Sequence, residues 1–124
     1  MAKYLLLIYG DESGWDSASA EDWNRMMEAH GAFAQAVVSQ GGKILGGEAL
    51  QPTAMATSVR GDASGGPVVT DGPFVETKEA LGGYYVLDAA DLDQAIAFAK
   101  LCPAPAGGVE VRPIMDTSGG SPAA

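Results

Sequence analysis

Two hydrophobic periods alternate along the chain and mark out its elements. In "KYLLLIYG", Tyr4, Leu6 and Ile8 fall on one side of an extended segment and Leu5, Leu7 and Tyr9 on the other. A strand that is apolar on both faces predicts cover on both faces. Beyond the polar loop "DESGWDSAS" the period lengthens to that of a helix. Trp23, Met26, Met27, His30, Phe33, Ala34, Val37 and Val38 form one broad apolar stripe. Ser19, with Asp22 three residues on, predicts an approximate capping box, and Gly41-Gly42 stops the helix.

The strand period returns in "KILGGEAL", where Gly46-Gly47 signals a bulge or a close backbone approach. "AMATSVRG" predicts a third strand, and the turn-rich "DASGG" leads to a hairpin partner in "PVVT". "ALGGYYVLD" is again apolar on both faces. Asp88 or Asp91 then opens a second helix, "DLDQAIAFAKLC", whose Leu92, Ala95, Ile96, Ala99 and Leu101 fit one face before Pro103 ends it. "GVEVRPIM" is the last strand, and residues 117–124 read as a flexible tail after a single domain over residues 1–116.

The predicted order is β-α-β, an inserted β-hairpin, then β-α-β. This is an α+β, ferredoxin-like split arrangement with both helices on one face of an antiparallel sheet. Two helices cover only one sheet face, yet the two-sided strands supply apolar groups to both. The uncovered face leaves a patch of roughly several hundred Å², more than monomers usually expose. The pattern therefore predicts a homodimer packed sheet to sheet around a barrel-like interior.

Charge narrows the partners. The 124 residues carry 7 Lys+Arg against 16 Asp+Glu, a net charge of −9. Such a surface repels phosphate backbones and anionic leaflets, which argues against direct nucleic-acid or membrane binding. A single cysteine, Cys102, forbids an intrachain disulfide and points to a reducing, cytoplasmic setting. The apolar run near the N-terminus is too short for a membrane span.

Several chemistries are excluded by their missing parts. One His and one Cys do not make an ordinary zinc site. "GGKILGG" follows a helix instead of opening one, so it is no phosphate loop, and Asp16 stands where a calcium loop of the EF-hand type needs Gly. No G-x-S-x-G elbow and no dinucleotide fingerprint occurs, so neither metal nor cofactor is expected.

Three groups remain. His30 is the only side chain whose ordinary pKa lies near neutrality, and it falls on the helical stripe. It is either a core histidine satisfied by a carbonyl or a general base at the edge of a cleft. In "TDGPFVETKEA", Pro73 denies Asp71 the usual Asx-turn amide, which makes a wider, rigid loop that could aim the Asp71 carboxylate into a cavity. In "GVEVRPI", Arg112 shares a strand face with Glu110 and is either half of a structural ion pair or a binder of an anion.

At these residues the chain resembles the YCII-related proteins of the DGPF branch, after Asp71-Gly72-Pro73-Phe74. "TDGPFVETKEALGGYYVLD", "DLDQAIAFAKLCP", "GVEVRPI", "LGGEAL" and "KYLLLIYG" carry the likeness over nearly all of residues 3–115. The resemblance implies a dimeric α+β barrel. It also implies that a histidine on the first helix, here His30, is the catalytic residue, as proposed for the wider YciI-like group. Dehydrochlorinase-type lyase activity on hydroxylated aromatics is attributed to part of that group, and many relatives are encoded beside extracytoplasmic-function sigma factors.

Two function classes follow. One is a cofactor-independent lyase or isomerase acting on a small molecule. There His30 is the base, Asp71 its orienting partner or a second acid/base, and Arg112, Phe74 and Tyr9 bind substrate. The other is a non-catalytic ligand-binding or regulatory dimer associated with sigma-factor signalling. A purely structural dimerisation module, with His30 sealed in the core, is the third reading.

Overall fold

The structure is a computed structural model that describes residues 1–61 and 63–118. Six strands and two helices follow in the order β1 (Ala2–Gly10), α1 (Ala20–Ser39), β2 (Lys43–Ala49), β3 (Thr57–Arg60), β4 (Val68–Asp71), β5 (Ala80–Ala89), α2 (Leu92–Leu101) and β6 (Gly107–Pro113). Four strands form one antiparallel sheet in the order β2-β5-β1-β6, and β3 pairs with β4 as a separate hairpin. The topology is ferredoxin-like, as the periodicity predicts, with the hairpin inserted between the two β-α-β halves.

The helix starts obey local chemistry. Ser19 Oγ accepts from the Asp22 N–H at 3.1 Å while the Asp22 carboxylate accepts from the Ser19 N–H at 3.0 Å, a full capping box. Asp91, not Asp88, caps α2, accepting from the Gln94 N–H at 2.9 Å. Gly41 adopts φ 86° just past α1, the left-handed conformation that glycine takes without strain. Gln94 also donates to the Gln40 carbonyl at 2.9 Å, tying the start of α2 to the end of α1.

Strand register sorts the sheet into two faces. Tyr4 lies opposite Leu87 and Leu6 opposite Tyr85, with Val111 on the other side, and this face carries the helices. Tyr4, Leu6, Phe33, Val37, Leu87, Ala89, Ala95, Phe98 and Cys102 make the core. The other face carries Leu5 opposite Val86 and Leu7 opposite Tyr84, all half-buried, with no helix against it.

The predicted β2 irregularity is a register shift between Ile44 and Gly46. Gly47 is also a close approach, since a Cβ there would lie 2.8 Å from Tyr85 Cδ1.

Two expectations need correction. The α1 stripe is narrower than the sequence suggests: Phe33 and Val37 are buried, but Trp23, Met27 and Val38 are exposed. Trp23 packs its ring 5.0 Å from Trp15 on the surface instead of facing the sheet. On α2 the anchor is Phe98, fully buried, whereas Leu92, Ile96 and Leu101 stay exposed. Residues 119–124 of the expected tail lie outside the described residues. No described helix is long and apolar enough to cross a membrane.

Candidate functional site

His30 sits on the inner side of α1, one turn before Phe33 and beneath β5. Its Nδ1 lies 2.7 Å from the hydroxyl of Tyr85. The Tyr85 ring also packs on Phe33, centroid to centroid 4.9 Å, and lies 5.8 Å from the imidazole. A covered-face position on β5 aims the phenol at the helix, and the missing side chain of Gly47 leaves room for its ring.

The second ring nitrogen decides between a sealed and an accessible histidine. Nε2 has no hydrogen-bond partner among the described residues, yet no buried side-chain nitrogen or oxygen goes unsatisfied. Nε2 therefore reaches solvent. The ring is half-buried, anchored at one nitrogen and open at the other.

Burial sets the electrostatics here. It lowers the His30 pKa below its ordinary 6.5, so the imidazole is neutral at pH 7. Burial also raises the Tyr85 pKa, with a smaller contribution from nearby Cys102. The Cys102 thiol itself is pushed up to about 11 by burial, which keeps it protonated and inert.

The hydroxyl is a two-way partner. It donates to Nδ1 in one imidazole tautomer and accepts from Nδ1–H in the other, and it accepts again from the imidazolium. Nδ1 therefore stays bonded in every protonation state, and Nε2 is free to gain or lose a proton. Met26, one turn before His30, lines an open cleft of about 550 Å³ with Asp22, Arg25, Ala29 and the Pro103–Pro105 loop.

The other sequence-derived residues lie elsewhere. Asp71 ends β4, opposite Thr57 in the hairpin, and no hydrogen bond joins it to His30 among the described residues. Gly72 follows with φ 98°. Its N–H donates to the Ala56 carbonyl at 2.8 Å and its own carbonyl accepts from Ser58 Oγ at 2.5 Å. The Asp-Gly-Pro-Phe segment is thus a bonded exit from the hairpin. Phe74 is exposed, with the Arg60 guanidinium 4.3 Å from its ring centroid and donating to its carbonyl at 3.1 Å.

Arg112 pairs with Glu110 and, like Tyr9, belongs to the open face of the sheet. Within one chain, His30 and Arg112 are on opposite faces. The expected five-residue constellation is three separate places: His30 under the sheet, Arg112 and Tyr9 above it, Asp71 and Phe74 on the hairpin. Tyr85 escaped sequence reasoning, because its only signal was a polar-tipped aromatic in an otherwise apolar strand.

Residues 2–118 match the YCII-related domain. The chain belongs to the YCII-related family. A protein of Rhizobium meliloti (strain 1021), described as uncharacterised, is 41% identical over 114 residues, covering 90% of each chain. The YCII-related match spans every strand and both helices, so the His30–Tyr85 pair and the hairpin belong to one family unit.

Proposed function

We propose that this YCII-related protein is a cofactor-independent acid–base catalyst, a lyase or isomerase acting on a small molecule at His30. The observation that carries the reading is His30, anchored through Nδ1 to Tyr85 and open at Nε2. A neutral imidazole with its base nitrogen free takes a proton from an activated carbon without first losing one of its own. Tyr85 then accepts from Nδ1–H and steadies the imidazolium. Such a base contributes about 10²–10⁴-fold, enough for a substrate whose carbon acid is already activated.

A homodimer belongs to the same proposal. Leu5, Leu7, Tyr84 and Val86 present an apolar centre on the open face, and a second copy packed sheet to sheet removes it from water. The separation of His30 from Tyr9 and Arg112 favours one further reading. The interior between two sheets would hold a ligand on Tyr9 and Arg112 without chemistry, as a regulatory binding protein does.

The test is deuterium incorporation into a panel of small carbonyl and phenolic acids in D₂O, followed by proton NMR. Exchange by the native protein that His30→Gln abolishes and Tyr85→Phe reduces supports catalysis. Equal spectra for all three proteins remove the base and leave the binding reading in front.

A further inference from the structure

The two edges of the main sheet are finished differently. The β2 edge is interrupted by its register shift and carries two glycines, features that discourage strand addition. The β6 edge is regular from Tyr4–Pro113 to Gly10–Gly107, and among the described residues it pairs only with β1.

The direction of its free groups follows from two bonds at its ends. The Ile114 N–H donates to the Lys3 carbonyl and the Asp11 N–H to the Ala106 carbonyl, both in the β1–β6 register. Bonded pairs alternate along an antiparallel ladder, so Gly108, Glu110 and Arg112 turn their main chain toward β1. Val109, Val111 and Pro113 turn theirs outward. No main-chain hydrogen bond from Val109 or Val111 outside the β1 ladder occurs among the described residues.

We propose that this edge is an interface with a second copy of the chain, whose β6 adds antiparallel across a two-fold axis at Val111. In that register Val111 exchanges both main-chain bonds with its counterpart, and the Val109 N–H donates to the Pro113 carbonyl of the second copy. Glu110 of each copy then faces Arg112 of the other, on the same side of the joined sheet. Sliding one step either way sets Glu110 against Glu110 or Arg112 against Arg112, like charges directly opposite. Charge complementarity thus selects both the occupant and the register.

The helix layer continues the seam. A hollow of about 420 Å³ and mixed polarity runs between α2 and β6, lined by Ile96, Ala99, Lys100, Cys102, Val109 and Val111. The two-fold brings the two hollows together on the helix side of the sheet. The seam is distinct from sheet-to-sheet packing, because Val111 points to the helix side and away from the open face.

The experiment places a cysteine on the axis, Val111→Cys in a Cys102→Ser background, and oxidises it mildly. An inter-chain disulfide is expected, and sheet-to-sheet packing alone would hold the two thiols apart. In parallel, sedimentation of Glu110→Arg should show self-association weakened roughly tenfold, with recovery in the swap Glu110→Arg/Arg112→Glu. If Val111→Cys does not fold, the swap series decides by itself. Absence of the cross-link in folded protein, or assembly that ignores the charge series, overturns the proposal. Assembly lost in Glu110→Arg without a cross-link assigns those charges to the sheet face and overturns it as well.

Discussion

The two faces of the sheet are made by the same four strands from nearly the same kinds of residue, and they meet different fates. On β1, Leu6 is fully buried under the helices while Leu5 and Leu7, its chain neighbours, remain half-exposed. The difference lies entirely in what packs against them. α1 and α2 supply Phe33, Val37, Ala95 and Phe98 to one face, and neither adds a side chain to the core from the other. Apolar alternation therefore reports where a side chain points, and burial requires a second layer to meet it. The chemistry divides along the same line: His30 and Tyr85 belong to the covered face, Tyr9 and Arg112 to the open one.

The comparison breaks hardest at the covered face. Leu6→Ala leaves a cavity among fully buried neighbours and should cost about 2–5 kcal/mol in a denaturant titration. Leu7→Ala, one position along, should cost no more than about half of that in dilute protein, since solvent already reaches it. Equal losses would mean that the open face is covered under the conditions measured, and sedimentation would then show a dimer.

Tyr85→Phe comes next. It leaves Nδ1 of a half-buried ring without its partner, at a cost of about 1 kcal/mol. It should also shift the nitrogen-15 signals of His30, whereas Asp71→Asn should leave them in place. An imidazole that responds to Asp71 and ignores Tyr85 would contradict the geometry of the covered face.

The pH dependence is smaller and has a definite sign. The unfolded imidazole titrates near 6.5 and the folded one lower, so between those values the unfolded chain binds more protons. Stability from this group is complete above about pH 6.5 and is lost as pH falls through the depressed folded value. His30→Gln should remove that slope in a series of urea titrations. The smallest effect belongs to the open face: Arg112→Ala breaks a pair whose guanidinium side is mostly solvated and should alter stability by less than about 0.5 kcal/mol in the same assay.

Much of the fold was legible because its signals are local. The capping box at Ser19, the stop at Gly41, the β2 irregularity and both two-sided strands each depend on a few neighbouring residues and an excluded conformation. The helix faces were less legible. Trp23 and Met27 fit the α1 stripe by spacing, but the sheet is reached only where Phe33 and Val37 stand, and Trp23 found Trp15 instead. Phe98 was hidden for the converse reason: it falls off the face traced by Leu92, Ile96 and Leu101, and α2 turns to bury the aromatic ring.

Element order, the ferredoxin-like class and an excess of apolar sheet over apolar helix are all written in the residue pattern. These follow from periodicity and turn chemistry, which act within a few residues. The sequence also singled out His30, because one imidazole in an acidic chain with a single cysteine has few rivals. What that imidazole touches depends on packing between distant segments. Tyr85 is 55 residues away and meets Nδ1 because β5 lies between β1 and β2, with its covered-face side chains aimed at α1. The same pleat sends Arg112 to the opposite side of the sheet. Which face a strand residue serves is fixed by register between distant segments, and register is set by the packed core as a whole.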